Sequence, residues 1–431
     1  MILPGTLIRA RCAITMNDRA EILEPGFIVV EGQDITSVSA EEPHGEWDHV
    51  LGDADVAAVP GLVNAHTHVA MTLMRGYADD MELMPWLEQK IWPREVKLNR
   101  DDIYWGSLLG MVEMLRAGVT TFNDMYGHFD ATAQAAQESG IRASLSAVLL
   151  GFMDRAEGDL AAAAEFAREW KDAAEGRITV MLGPHAPYTC PDSIMRCAIE
   201  TAHDLRLGVH IHLSETAKEV EDSVNNVGAT PIAHMERIGL FEIHPVLAAH
   251  CVHVNDDDIA ILARRRVGVS HNPGSNMKLA SGIAPLPKML DAGVIVGLGT
   301  DGAASNNNLD ILEEARLTAL LHKLACEDPT CIPAYQALEF ATRGGARALG
   351  LDDRIGVLAP GMKADIVLIG LDAPHLTPLH NVVSHLVYSA RACDVQAVLV
   401  NGEVVVNDGK VTTVDESEVM AQAADRVGGW T

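Results

Sequence analysis

The chain has 431 residues, of which 48% are hydrophobic, 21% charged and only 4% aromatic, so aliphatic and alanine side chains must fill its core. Its 60 acidic and 32 basic residues give a formal charge of −28, which repels a nucleic-acid backbone and offers no footing on an anionic membrane. Arg9, Arg11 and Asp18 break up any secretion signal, no apolar run is long enough to span a bilayer, and the seven cysteines are scattered without a Cys-x-x-Cys pair, so a cytoplasmic protein with reduced thiols is expected, with neither nucleic acid nor membrane as partner.

In chain order, residues 1–57 carry strand-and-turn patterns such as Gly26-Phe27-Ile28-Val29-Val30-Glu31-Gly32. Residues 58–356 then alternate short β-branched or aliphatic runs with longer helical patterns, the signature of parallel strands joined by crossover helices. Eight strands are predicted: Ala58 to Ala65, Thr120 to Asn123, Ala143 to Leu149, Ile178 to Leu182, Gly208 to Ile211, Val246 to Ala249, Val267 to Ser270 and Val294 to Leu298. Among the helices between them are Asp102 to Ala117, Ala131 to Ser139, Leu160 to Ala174, Pro191 to Asp204 and Asp256 to Arg264. Eight alternations fit an α/β fold closed as a (β/α)8 TIM-type barrel better than an open sheet. Residues 357–431 return to strand patterns, as in Val398-Leu399-Val400-Asn401-Gly402-Glu403-Val404-Val405-Val406, and the two ends are expected to pair into one small β-sandwich domain.

A barrel requires its reactive groups to lie beyond the C-terminal ends of several strands. The first strand runs into His66 and His68, which share a face because strand side chains alternate. The second ends in Asp124, the fourth in His185, the fifth in His212 and Glu215, the sixth in His250 and His253, the seventh in His271 and Asn272, and the eighth in Asp301. This clustering is a stronger signal than any one motif. His66, His68, His212 and Asp301 make a set of three nitrogens and one carboxylate suited to one zinc ion per subunit, with iron or manganese as alternatives. His210 faces the same side as His212 and could be the ligand in its place. Glu215, three residues after His212, is within reach of a water at the metal and is the expected general acid/base; its plain alternative is a solvated acid opening a helix. His250 is expected to orient the attacking group or polarise the substrate, against a purely structural hydrogen bond, and Asp301 taken alone would read as a turn cap.

With Pro60 to His68, His212 to Glu215, Ala249 to His253 and Thr300 to Asn307 in view, the chain resembles the amidohydrolase superfamily over nearly its whole length. Met71-Thr72-Leu73-Met74-Arg75-Gly76, Trp86-Leu87, Asn123-Asp124-Met125-Tyr126 and Gly183-Pro184-His185-Ala186-Pro187-Tyr188 are similar to the branch that deaminates 5′-methylthioadenosine and S-adenosylhomocysteine. The resemblance implies a mononuclear site, since His185 stands where binuclear members carry a carbamylated lysine, and it favours His212 over His210. It further implies that His185 contacts the purine, Glu95 holds the ribose hydroxyls and Trp86 lines the pocket, with Glu215, His250 and Asp301 serving the chemistry. A small-molecule nucleoside is then the expected partner, with association into a homo-oligomer left open. Relatives acting on S-adenosylhomocysteine place arginines after the third strand; here Ala147 to Met153 is apolar and Arg155 is the nearest basic residue, which favours small or apolar 5′ substituents. Two other readings compete: a hydrolase of guanine, a pterin or a chlorinated triazine on the same scaffold, and a non-catalytic binding protein that keeps the barrel without the reaction.

Overall fold

A computed structural model of the chain describes residues 2–151, 156–428 and 430. Eight parallel strands form one sheet in sequence order: β1 (Leu62–Thr67), β2 (Val119–Tyr126), β3 (Arg142–Leu149), β4 (Ile178–Pro184), β5 (Gly208–Leu213), β6 (Val246–His250), β7 (Gly268–His271) and β8 (Ile295–Leu298). The sheet curls until β8 meets β1. There Asn64 Nδ2 donates to Thr300 Oγ1 at 2.8 Å, the Thr300 amide to Asn64 Oδ1 at 3.1 Å, and the Asp301 amide to the His66 carbonyl at 3.0 Å. The result is a (β/α)8 barrel of TIM type. Crossover helices such as Arg100–Arg116, Phe129–Ser139 and Asp192–Leu205 surround it. The first of these starts at a capping box, in which Asn99 Oδ1 accepts the Asp101 and Asp102 amides while the Asp102 carboxylate accepts the Asn99 amide.

The run predicted as one strand over Ala58–Ala65 is two strands. Val56–Pro60 belongs to a seven-stranded sheet built from both ends of the chain, and β1 begins only at Leu62. Gly61 is the joint: its amide donates to the Asp365 carbonyl at 2.8 Å, and a Cβ there would sit 1.9 Å from Thr120 Oγ1. Both strands are buried on both faces, so hydropathy runs through the break unchanged. The helix expected over Leu160–Ala174 spans Ala156–Trp170, because the chain turns left-handed at Asp172, Ala174 and Glu175.

In the seven-stranded sheet, alternation separates two cores. Ala58, Ile366, Leu368, Ala397 and Leu399 pack with Ile8, Ile28 and Val30 of a four-stranded sheet formed by Ile2–Ala10, Gly26–Glu31, Asp34–Ser39 and Glu46–Leu51, making a β-sandwich. Ala57, Val59, Val367, Ile369, Val398 and Val400 point the other way and join the large core that includes the barrel's helices. The same junction holds a buried ion pair. Arg142, at the start of β3, grips Asp365 through Nε and Nη2 at 2.8 and 2.9 Å, and Nη2 also reaches Asn401 Oδ1 at 2.8 Å. Replacing Arg142 by leucine strands the Asp365 carboxylate without its countercharge and is expected to cost about 3–5 kcal/mol, read as a lowered midpoint in denaturant titration. An unchanged midpoint would show that the pair adds nothing to the junction.

Candidate active site

The strands deliver their polar residues to one mouth of the barrel. His66 closes β1 and His68 follows it; His66 Nε2 and His68 Nε2 lie 3.2 and 3.3 Å from Asp301 Oδ1, and His212 Nε2 lies 3.3 Å from His68 Nε2. Ligand atoms of His66, His68 and Asp301 all fall within 4.8 Å of one another, as do those of His66, His212 and His250. The sequence-predicted set of His66, His68, His212 and Asp301 is therefore brought together.

Four observations fit this cluster to a divalent cation. His68 Nδ1 is held by the Met125 carbonyl at 2.6 Å and His212 Nδ1 by the His185 carbonyl at 2.8 Å, which fixes each Nδ1 as the protonated nitrogen and turns each Nε2 lone pair inward. Among the described residues, His66 Nε2 is buried with no partner in hydrogen-bonding geometry. Burial pushes His66 down to about 4 and His212 well below its ordinary range, so both imidazoles are neutral, the form that binds metal. Burial alone would raise the Asp301 carboxyl, but His66, and then His68 and His250, hold it well below the usual carboxylate range. Its Oδ2 accepts hydroxyls from Ser275 at 2.6 Å and Ser305 at 2.8 Å, leaving Oδ1 for the cluster.

His210 stands behind this set. Its Nε2 is 2.7 Å from His66 Nδ1, and its Nδ1 is within 3.0 Å of Ser146 Oγ and 2.9 Å of Asn123 Nδ2. It orients His66 and does not face the other nitrogens, as His212 does.

Glu215 is 5% exposed, with Oε1 accepting from Ser281 Oγ at 3.2 Å and Oε2 3.8 Å from His250 Nε2. Burial raises its pKa, which suits a group that must both take and return a proton near neutrality. The Ser214 and Glu215 amides donate to the Glu219 carboxyl at 2.9 and 2.7 Å, fixing the turn from which Glu215 projects. His250 Nδ1 meets Asn276 Oδ1 at 2.9 Å, so its Nε2 is aimed at Glu215. Burial works against its charge, yet Glu215 and Asp301 raise its pKa overall.

The backbone aims these groups by leaving each strand abruptly. Ser214, His250, Cys251 and Asp301 have φ of +53°, +73°, +47° and +60°, a left-handed conformation that non-glycine residues adopt at a cost and that gathers at functional sites. Gly299 lets β8 approach closely, since a Cβ there would sit 2.4 Å from Ser270 Oγ and 2.9 Å from the His66 Cβ.

Above the cluster opens a cavity of about 1220 Å³ whose floor includes His68, His185, His212, Glu215, His250 and Asp301. Trp86 and Glu95 line it from a helical segment, Leu83–Trp86 continued by Trp92–Glu95, with a π-turn over Leu87–Ile91 between them. That wide turn breaks the ordinary helical spacing, so neither residue could be assigned to the pocket from periodicity. Burial raises the Glu95 carboxyl. His185 has Nδ1 3.0 Å from Thr189 Oγ1 and its ring centre 4.7 Å from that of His212.

Other strand-end residues serve elsewhere. Asp124 Oδ1 accepts the Val69 amide at 2.6 Å, capping the loop after β1, and burial pushes its carboxyl up to about 7. His253 Nε2 meets the Ser281 carbonyl at 2.6 Å, beside Glu215, while Asn272 Nδ2 lies 3.4 Å from His250 Nδ1. His271 turns away to His322, with Nε2 atoms 3.2 Å apart. His322 is 1% exposed, and burial lowers its pKa from 6.5 to about 4. The unfolded chain therefore takes up this proton first: the neutral form's contribution is complete above pH 6.5 and is lost as pH falls towards 4, about 3 kcal/mol in all. His322→Gln is expected to flatten stability against pH across that window in denaturant titrations; an unchanged slope would assign the acid sensitivity to other groups. Ser275, Ser305 and Asn276 are supporting residues with no distinctive spacing in the sequence, although Ser275 and Asn276 follow β7 and Ser305 lies in the motif after Asp301.

Residues 57–405 match the model of the amidohydrolase family. The chain belongs to that family. This amidohydrolase is 57% identical over 378 residues to a 5-methylthioadenosine/S-adenosylhomocysteine deaminase of Desulforudis audaxviator, covering 88% of each chain. It is 47% identical over 413 residues to the protein of that name in Syntrophomonas wolfei, covering 96% of each. Among solved structures, an adenosine deaminase from Xanthomonas campestris with bound zinc superposes with a TM-score of 0.95 at 36% identity, over 99% of this amidohydrolase and 100% of that chain. An atrazine chlorohydrolase from Arthrobacter aurescens, complexed with zinc, gives 0.91 at 27% identity over 97% and 99%.

Proposed function

We propose that this amidohydrolase is a zinc-dependent hydrolytic deaminase that converts adenosines modified at the 5′ position to the inosine analogue and ammonia. The observation that carries the reading is the convergence of His66, His68, His212 and Asp301 beside Glu215 and His250, under a cavity with room for a nucleoside and a 5′ substituent. In this reading His66, His68, His212 and Asp301 would hold one zinc ion, whose Lewis acidity would supply a water acidic enough to attack at neutral pH. Glu215 takes a proton from the attacking water and delivers it to the ring nitrogen next to the carbon that bears the amino group, making that carbon electrophilic. His250, fixed by Asn276, steers the attacking oxygen, and Asp301 helps pass the second proton to the departing amine, so one water enters and one ammonia leaves. His185 contacts the purine, Glu95 accepts the ribose hydroxyls and Trp86 packs on the nucleoside.

The 5′ end would extend towards Phe129, Phe166, Glu165 and Glu169, which line the cavity. The two glutamates repel the carboxylate of a zwitterionic amino-acid tail although they can pair with its ammonium, and Arg155, the nearest basic residue in the sequence, lies outside the described residues. For zinc-loaded protein we expect kcat/KM for 5′-methylthioadenosine and 5′-deoxyadenosine to exceed that for S-adenosylhomocysteine by about tenfold or more, an effect the size of one unfavourable charge contact. Ammonia release over this panel, with adenosine included, tests it, and a preference for S-adenosylhomocysteine would overturn the assignment. Chloride release from a chlorotriazine without ammonia release from any adenosine would move the protein to the other branch of its structural neighbours.

A further inference from the structure

The free thiols fall into distinct environments. Cys12, Cys190 and Cys251 are buried, and burial pushes the Cys12 thiol up to about 12 and raises the other two, which keeps them protonated and inert. Cys197 and Cys393 are exposed. Cys326 and Cys331 differ from all of these because their sulfurs lie 2.9 Å apart, closer than van der Waals contact.

The backbone brings them together without a covalent link. Cys326 is the last residue of the helix Ile311–Cys326, and Glu327, at φ +52°, reverses the chain. The Asp328 amide then donates to the Lys323 carbonyl at 3.1 Å and the Cys331 amide to the Asp328 carbonyl at 3.2 Å. The Asp328 carboxylate accepts the Thr330 amide at 2.8 Å and its hydroxyl at 2.7 Å. Lys323 Nζ clamps the far side of the turn by donating to the Cys331 and Ile332 carbonyls, each at 2.7 Å. Neither cysteine is among the residues that line the cavity over the metal ligands.

We infer that Cys326 and Cys331 are a thiol–disulfide couple that is oxidised by low-molecular-weight disulfides, a modification site separate from the catalytic mouth. Cys326 is exposed and attacks first: its thiolate displaces one small thiol and leaves a mixed disulfide on its own sulfur. Cys331 is half-buried, with its thiol pushed up to about 11 by burial and by Cys326, and acts second. Its sulfur attacks that of Cys326 and expels the second small thiol. Two protein thiols and one small disulfide thus become one protein disulfide and two small thiols, with two electrons passing to the oxidant and the two thiol protons to the products. An exposed disulfide of this kind is readily reversed by reductant.

The full-length folded protein, incubated with oxidised glutathione, alkylated without reduction and digested with trypsin, tests the inference by mass spectrometry. Both cysteines fall in the peptide Leu324–Arg343. The expected product is that peptide two hydrogens lighter, with neither cysteine alkylated and no glutathione retained, and dithiothreitol should restore two alkylatable thiols. Cys331→Ser should trap one glutathione on Cys326. The inference is overturned if the wild-type peptide keeps glutathione on Cys326, or if both its cysteines stay alkylatable under conditions that modify the exposed Cys197.

Discussion

Glutamine in place of Glu215 is expected to lower turnover of 5′-methylthioadenosine about 10³-fold while leaving zinc content at one per subunit. The exchange preserves the volume and a carbonyl oxygen for the Ser281 hydroxyl, so the buried pocket keeps its shape. What it removes is the capacity to hold a proton between the attacking water and the ring nitrogen. Because the carboxyl lies beside His250 and outside the set of four ligands, metal affinity should not follow activity down. Ammonia release and elemental analysis on the same preparation check both halves. Turnover within tenfold of wild type would remove Glu215 from its role, and a parallel loss of zinc would make it a ligand.

The second large effect is expected at Asp301, where asparagine should weaken zinc binding by about 10²-fold or more and take activity with it, beyond the 10- to 100-fold that supporting residues of metal sites usually command. Asp301 is the only anion in the ligand set, and its charge is secured by three surrounding histidines and two serine hydroxyls. In the asparagine variant the Ser275 and Ser305 hydroxyls can rotate to accept from the amide nitrogen, so the fold survives and the loss is one of charge. Chelator competition on the purified variant measures it. Wild-type zinc affinity would exclude Asp301 from the coordination sphere.

How far the sequence could be read follows from which residues act locally. His66 and His68 are legible because alternation along one strand fixes their common face, and Glu215 and Asp301 because a barrel directs strand ends to one mouth. His210 and His212 obey the same alternation, and only depth along β5 separates the one behind His66 from the one beside His68. Trp86 and Glu95 escape pattern reading because a π-turn shifts the helix between them. The strand split at Gly61 is hidden by uniform burial, and the Arg142–Asp365 pair joins residues 223 positions apart, which no local rule connects.

The wall formed by Val56–Pro60, Ile366–Gly370 and Val395–Val400 supplies alternate side chains to two interiors. A one-residue insertion within any of these strands would exchange its tenants, sending Val367 and Ile369 into the space shaped for Ile366 and Leu368. The sandwich interior and the core around the barrel's helices thus lie on the two faces of one sheet, and the two are expected to melt in a single calorimetric transition.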